Sequence, residues 1–343
     1  RPKTIFSGIQ PTGVPHLGNL LGALSNWVEL QNNAAPNDTV IYSTVGYHAI
    51  TMPQNPKVLR EDRLNSLACL LAVGIDPKRS ILFLQDQIPE HAELAWILNC
   101  ITPMGKLQRM TTWKSKLAVS RNANSEDEVS DSLLNLGLFA YPVLQTADIL
   151  LYKATHVPVG EDQQQHLELS RDLADLFNRT HKTNIFPLPH HIITPAKRIL
   201  SLRDPSQKMS KSAPNPKSRI LITDDYSEIQ AKIRSAVTDS TPSISYDPEN
   251  RPGVANLLTI LASCSDTSKS VPELAQEYSS KNHAELKADV TEAVERLVGP
   301  IRENYRRIRN DEAWLRQVST DGIRRAREIA TQTMDQVKHQ IGL

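Results

Sequence analysis

The chain has 343 residues, enough for about two domains with cores of their own at roughly 100–200 residues per domain. Its 39 Lys and Arg against 38 Asp and Glu leave a formal charge of +1, so no global field draws in nucleic acid or an acidic membrane, and any polyanion must bind a local patch. With 39% hydrophobic and 22% charged residues the composition is that of a soluble globular protein, and no apolar run approaches the ~18 residues of a spanning helix, which excludes a membrane-embedded chain.

Cys69, Cys100 and Cys264 lie far apart with no CxxC or Cys/His spacing, so neither a disulfide framework nor a structural zinc site is expected, and a reducing compartment fits. The chain opens at Arg1 and enters an apolar strand almost at once, as it would after removal of a leader or after trimming; the sequence does not choose between these.

Residues 3–9 predict a short buried strand. Gly8, Pro11, Gly13 and Pro15 punctuate the loop that follows, before 18–30 takes up a helical apolar rhythm. A β-branched strand is expected over 40–45, an amphipathic helix over 60–73, a strand over 80–85 and a helix over 90–100. This alternation predicts parallel βαβ units, hence an α/β, Rossmann-like, doubly wound parallel sheet over 1–222. The run 119–132 is polar, small and acidic and predicts a surface insertion within that domain. Pro187, Pro189 and Pro195 mark irregular ground before a strand-like stretch at 198–202 and a polar loop over 204–218, where the chemistry is expected. From about Tyr226 the apolar spacing turns helical, with Ser227 in a capping position, and 223–343 predicts an all-α C-terminal domain.

Residues 8–19, GIQPTGVPHLGN, follow the first strand and open the first helix, where free backbone N–H groups and the positive helix end favour an anion. Gly18 lets a flat base or a phosphate approach the backbone, and His16 and Asn19 offer donors to phosphoryl oxygens. Taken alone, a glycine-containing turn of this kind is more often a plain tight turn. The second segment is Lys208-Met209-Ser210-Lys211-Ser212, two lysines among hydroxyl residues flanked by Pro205 and Pro214. Two mobile ammonium groups can close over a triphosphate and stabilise charge developing on a departing pyrophosphate. The bland alternative is a solvated basic turn, and the coincidence of the two segments argues against it.

Together these segments resemble the HIGH and KMSKS signatures of the class I aminoacyl-tRNA synthetases, standing here as His16-Leu17-Gly18-Asn19 and Lys208 to Ser212. More narrowly, the chain is similar to the tryptophanyl-tRNA synthetases. FSGIQPTG (6–13), HAIT (48–51), YPVLQTADILLY (141–152), VPVGEDQ (157–163) and AVTDS (236–240) carry the resemblance nearly end to end. The wording of the middle blocks and the polar insertion is most similar to the mitochondrial branch, which implies a mitochondrial matrix protein, the alternative being a bacterial cytoplasm.

By that resemblance, Gln10, Pro11, Thr12, His16, Gly18 and Asn19 hold ATP from the first loop, Gly160, Glu161 and Asp162 reach the ribose side, and Ile199 backs the adenine. Met209, Ser210 and Ser212 close over the nucleotide with Lys208 and Lys211. These two lysines, with Lys116 of the segment 113–116, are the cations that grip the pyrophosphate as catalytic groups. All three lie in loops, as cations that must move onto a leaving group require; Lys116 reads equally as an ordinary surface lysine.

Asp148 is a carboxylate in an otherwise apolar stretch, able to accept the single N–H of an indole and so to reject phenylalanine by leaving a buried acceptor unpaired. The alternative is a cap for a helix beginning near Ile149. Phe6, Gly8, His48, Gln145, Ile149, Val157 and Val159 align with the family's indole pocket, and Tyr141 and Gln163 with the groups that meet the substrate ammonium. The apolar members are equally good core residues, and His48 is equally a satisfied core histidine. The sequence departs from the family at Gly46, where an Asp is usual, at Ala213, where an Asp usually follows KMSKS, and at Thr146, where an Ala is usual. These put in doubt a contact to the pocket, loop closure and packing around the indole, respectively.

The resemblance implies attack of the tryptophan carboxylate on the α-phosphorus of MgATP, giving tryptophanyl-adenylate and pyrophosphate, then transfer of tryptophan to tRNA(Trp). A carboxylate is already a nucleophile at neutral pH, so positioning and charge neutralisation suffice. Magnesium arrives with ATP as part of the substrate; no permanent cofactor and no dedicated metal cage are expected. Arg302, Arg306, Arg307, Arg309, Arg316, Arg324, Arg325 and Arg327, with Tyr305 and Trp314, form a candidate tRNA patch, or else a helix face laced with ion pairs to Glu303, Asp311, Glu312 and Asp321. The resemblance assigns this region to the anticodon and implies a homodimer. Two rivals are a tyrosine-specific enzyme of the same fold and a non-catalytic RNA-binding relative; the second predicts loss of His16, Gly18, Asn19, Lys208 or Lys211, all of which are present.

Overall fold

The computed structural model describes residues 2–110, 134–160, 164–193, 197–211, 213–265 and 267–343, with the side chains of Val159 and Ile193 outside that set. Five strands form one parallel sheet: β1 Thr4–Ile9, β2 Thr39–Thr44, β3 Ile81–Leu84, β4 His156–Val159 and β5 His190–Ile193, in the spatial order β3-β2-β1-β4-β5. The chain builds outward from β1 to β3, then returns to lay β4 against the other flank of β1, with Ile5 opposite His156. The winding therefore reverses between β1 and β4. In open parallel sheets ligands bind in the crevice outside the strand carboxyl ends at such a reversal. Loop 10–16 leaves β1 there, and Gly160 leaves β4.

The first strands and helices form where hydrophobic spacing places them, with ends set by local chemistry. The helical stretch after β1 starts one residue early, as α1 Leu17–Asn19, passes through a π turn at Leu20–Leu24 and continues as α2 Ser25–Asn33. The helix expected from 60 begins four residues earlier, as α4 Pro56–Ala72 after the short α3 Gly46–Ala49. Asn55 caps it by accepting from the N–H groups of Lys57 and Val58, and Pro56 takes the first helical position. Three expectations need correction. The ground read as irregular between Pro187 and Pro195 carries β5, His190–Ile193, which pairs in parallel with β4, a partner distant in sequence. The stretch 198–202 makes only a single antiparallel bridge, Leu200 to Lys208, because its backbone pairs with the neighbouring 207–209 segment and with the Asn256 side chain. Asp225, not Ser227, caps helix Tyr226–Arg234; the Ser227 hydroxyl donates to Asp225 Oδ1 instead.

Alternation along the strands divides the core into two layers. Ile5, Val40, Tyr42 and Leu82 face one way, toward α4 and helices of the C-terminal part. Phe6, Ile41, Ile81 and Phe83 face the other, toward α5 Glu90–Ile101, α7 Leu136–Leu151 and α8 Gln164–Thr180; between α5 and α7 runs the short α6 Met104–Gln108. The C-terminal region is helical: α9 Tyr226–Arg234, α10 Pro252–Cys264, α11 Val271–Glu277, α12 His283–Asn310 and α13 Glu312–Ile341. It shares both apolar layers with the sheet. Leu257, Val294 and Leu315 join the first, and Ala326, Ala330 and Met334 join the second. Gly322 makes this approach possible, since a Cβ there would collide with the backbone of Leu82 in β3. No helix among the described residues is long and apolar enough to cross a membrane.

Candidate active site

The two loops singled out in the sequence, far apart along the chain, are in contact. Leu17 N–H donates to the Ile220 carbonyl at 2.8 Å and Ile222 N–H to the Pro15 carbonyl at 3.1 Å, which ties the first loop to the segment following 208–211. Lys211 Nζ donates to the Gly13 carbonyl at 2.8 Å. Met209 is buried, its N–H bonded to the Ile199 carbonyl at 3.0 Å, and a Cβ on Gly18 would lie 3.1 Å from the His16 ring and 3.6 Å from Met209 Cβ. His16, Gly18, Ile199, Met209 and Lys211 thus gather at one end of the sheet. Lys208 is exposed and Ser210 half-buried beside them, while Gln10, Pro11 and Thr12 precede the same turn.

His16 caps the helix that opens here: its Nδ1 accepts from Asn19 N–H at 3.2 Å, and Asn19 Oδ1 accepts from His16 N–H at 3.1 Å. Burial, with Lys211 and Arg219 nearby, brings the imidazole down to about 4, so the ring is neutral at pH 7. With Nδ1 used as an acceptor, its single proton sits on Nε2, which is a donor. Asn19 likewise keeps its amide NH2 for donation. Burial also lowers the Lys211 ammonium to about 8, partly opposed by Cys69 and Asp62. Backbone amides at a helix start, neutral donors and a cation suit a polyphosphate.

The second constellation surrounds Asp148, which is 2% exposed and lies in the last turn of α7, not before a helix starting at 149. Its Oδ2 accepts from His48 Nε2 at 2.7 Å; its Oδ1 accepts from Gln85 Nε2 at 2.6 Å and from His91 Nδ1 at 2.7 Å. Burial would push its pKa up, but the charge and hydrogen bond of His48 and the hydrogen bond of His91 hold it well below the usual carboxylate range, at about 2. Both ring nitrogens that face this anion carry protons. The other ring nitrogen of His91, Nε2, lies 2.8 Å from the Tyr152 hydroxyl. A carboxylate offers about four acceptor positions, and donors among the described residues take three, leaving one on Oδ2.

Aromatic side chains wall this group. Phe6 stacks on Tyr152 with ring centroids 5.6 Å apart, and Tyr141 meets His48 edge-on at 6.3 Å while its hydroxyl lies 3.0 Å from His166 Nε2. Ile149 and Val157 are buried in the same apolar layer as Phe6, Gln145 is half-buried on α7, and Gly8 is the penultimate residue of β1, opposite Ser43. Gln85, His91, Tyr152 and His166 were not among the residues singled out in the sequence. Tyr152 had a legible signal, since it follows Asp148 by four positions; Gln85 begins the turn where β3 leaves the sheet. Lys116, Glu161, Asp162, Gln163, Ser212 and the insertion at 119–132 lie outside the described residues, as does the side chain of Val159; Gly160 is described and half-buried.

Two of the three departures have local explanations. The space over Gly46 is filled by the Asp86 carboxylate, with which a Cβ would collide. Thr146 is fully buried, and its hydroxyl donates to the Pro142 carbonyl and lies 3.0 Å from Ser170 Oγ, so the extra polar atom is satisfied. Ala213 offers its backbone carbonyl to Arg219 at 2.9 Å, a contact that does not depend on its side chain, and nothing in the structure explains the alanine there. Several C-terminal arginines are committed to protein partners. Arg302 is buried against Glu295 and the Asp224 carbonyl, Arg309 reaches Glu61, Arg325 the carbonyls of Pro77 and Ser80, and Arg327 Glu90. Arg306, Arg307, Arg316 and Arg324 remain at the surface, with Trp314 41% exposed. Among the described residues no group of three or more His, Cys, Asp or Glu is placed to hold a metal ion.

Comparison with known proteins bears on what this arrangement serves. The family profile described as tRNA synthetases class I (W and Y) matches residues 1–299. The mitochondrial tryptophan–tRNA ligase of Schizosaccharomyces pombe is 44% identical over 345 aligned residues, covering 99% of this chain and 95% of that protein. Tryptophan–tRNA ligase 2 of Streptomyces avermitilis is 45% identical over 344 residues, covering 100% and 97%. Among solved structures, the tryptophanyl-tRNA synthetase of Campylobacter jejuni complexed with ADP and tryptophan matches with a TM-score of 0.82 at 32% identity, covering 99% of this chain and 100% of that one.

Proposed function

This chain belongs to the class I tRNA synthetases of the tryptophan and tyrosine kind, and from that premise we propose that it works as a tryptophan–tRNA ligase. The tryptophan carboxylate attacks the α-phosphorus of ATP, which enters with Mg²⁺ as a substrate complex; the bond to the β-phosphate oxygen breaks and pyrophosphate leaves. A terminal ribose hydroxyl of tRNA(Trp) then takes the tryptophanyl group and AMP is released. The first loop binds the nucleotide through backbone amides, His16 Nε2–H and Asn19, while Lys208, Lys211 and Lys116 neutralise the charge that builds on the leaving pyrophosphate.

The observation that carries the reading is Asp148: a buried anion with three donors in place and one acceptor position left. An indole has one N–H to give. A phenol oxygen asks for a donor as well as an acceptor, and the described donors that reach Asp148, from His48, Gln85 and His91, are engaged on its carboxylate, which weighs against the tyrosine reading. Residues 1–222 form the catalytic Rossmann-like part. Residues 223–343 meet the anticodon through the surface arginines 306, 307, 316 and 324 with Trp314; the exposed ion pairs of Arg306, Arg316 and Arg324 are weak enough to give way to phosphate. Trp96, Met104 and Leu136, 71%, 59% and 77% exposed on neighbouring elements, supply an apolar face for a homodimer. The mitochondrial matrix is favoured by the naming of the fission-yeast relative, with a bacterial cytoplasm as the alternative in view of the Streptomyces one.

The test is tryptophan-dependent exchange between pyrophosphate and ATP, with tyrosine and phenylalanine in parallel. Exchange with tryptophan alone, lost in Asp148→Ala and Lys208→Ala, is expected. Exchange with tyrosine, or with no amino acid, contradicts the reading.

A further inference from the structure

Two of the three donors on Asp148 are mounted on segments that meet at Gly46. His48 sits on α3, which Gly46 opens, and Gln85 begins the 3₁₀ turn Gln85–Gln87 after β3. Gln85 joins the two segments directly, since its Oε1 accepts from Tyr47 N–H at 2.9 Å while its Nε2 donates to Asp148. The next residue joins them a second time. The Asp86 carboxylate lies over the Gly46 Cα, in the volume a side chain at 46 would occupy. It is held there by the guanidinium of Arg63, from α4, through Nε at 2.8 Å to Oδ2 and through Nη2 to Oδ1. Gln87 Nε2 adds a contact at 3.0 Å. The Arg63 and Asp86 side chains are only 22% and 17% exposed. A two-pronged Arg–carboxylate pair fixes direction as well as distance.

We propose that Gly46, Asp86 and Arg63 form one positioning lock for the tryptophan-recognising carboxylate: Asp86, fixed by Arg63 and seated on Gly46, sets α3 and the 85–87 turn against each other and thereby aims His48 and Gln85 at Asp148. The proposal rests on the reading of Asp148 as the indole acceptor. None of the three residues is in hydrogen-bonding contact with Asp148, so their effect is on where its donors stand and on which acceptor position stays open. Glycine at 46 is required only while Asp86 is present. The absent carboxylate at 46 is then not a loss, because the neighbouring turn brings one into that volume.

The lock is tested in the full chain with wild type, Gly46→Ala, Asp86→Ala, the double variant, and Gly46→Asp combined with Asp86→Ala. Thermal midpoints are measured together with separate KM values for tryptophan and ATP in the exchange assay. Gly46→Ala and Asp86→Ala are each expected to raise the tryptophan KM about tenfold while the ATP KM stays within about twofold, the mark of a lost contribution to one substrate's binding. The double variant should be no worse than Asp86→Ala, since neighbours sharing one contact are not additive. Moving the carboxylate to 46 should return the tryptophan KM to within about threefold of wild type. Additive effects, or KM values for both substrates rising in step with a falling thermal midpoint, overturn the lock. A wild-type chain that exchanges with no amino acid overturns the ligase reading and the lock with it, an outcome distinct from an active wild type whose variants show no selective change.

Discussion

An anion as buried as Asp148 is tolerated only where its charge is answered, and His48, Gln85 and His91 answer it from three different elements. Replacing it with Asn keeps the shape but turns part of the acceptor into a donor facing donors. Asp148→Asn is expected to lower kcat/KM for tryptophan by about a hundredfold or more, measured by pyrophosphate exchange. The same carboxylate gives a pH signature. Its folded pKa, about 2, lies below the unfolded value near 3.8, so the unfolded chain binds more protons between them. Its stabilisation is full above the unfolded value and lost as pH falls through the folded one. Acid titration of denaturant midpoints should therefore show a shallower decline between pH 4 and 2 in Asp148→Asn than in wild type. Lys211 behaves in the opposite range: burial puts its ammonium at about 8 in the nucleotide-free chain, so kcat/KM for ATP should fall as pH rises through about 8. Lys211→Arg, which keeps its charge, should flatten that limb. Asp148 was legible in the sequence because a carboxylate inside TADILLY is conspicuous. Gln85 and His91 were not, because nothing local says that a strand end and a helix start converge on a residue some sixty positions later.

At the level of elements, hydrophobic spacing marked the strands and helices of the first hundred residues, and capping chemistry moved their ends. The stretch at 198–202 shows the limit. Its apolar residues suit a strand, but its backbone partners are the lysine loop and Asn256, a tertiary arrangement that no window of sequence contains. The closing helix α13 is another case: its amphipathic spacing was readable, its seat on β3 was not, since that depends on Gly322 meeting the Leu82 backbone. Gly322→Ala is expected to force the helix off the strand and to lower unfolding free energy by about 2 kcal/mol in urea titration, the usual scale for overpacking. Because Arg327 and Thr331 of this helix bond Glu90, beside His91, the displacement should also raise the tryptophan KM.

For the molecule as a whole, the reversal of winding between β1 and β4 places the first loop, Gly160 and Asp148 at one end of the sheet. Alternating strands and helices announced a doubly wound sheet, but strand order is a property of the assembled chain, and so is the sharing of both apolar layers with the C-terminal helices. The exposed face around Trp96 belongs to the same scale. Trp96→Glu is expected to weaken self-association by about a hundredfold or more, as loss of a buried aromatic anchor does, read by sedimentation equilibrium; an unchanged assembly would exclude this face as the dimer interface.

The claim on which the rest depends is that Asp148 recognises one indole N–H. The most direct measurement compares tryptophan with its benzothiophene isostere, in which sulfur replaces that N–H, in pyrophosphate exchange by wild type and by Asp148→Ala. Wild type should prefer tryptophan by about a hundredfold in kcat/KM, and the variant should lose most of that preference by losing tryptophan activity. Equal use of the two substrates by wild type, or a preference that survives removal of the carboxylate, would contradict the account.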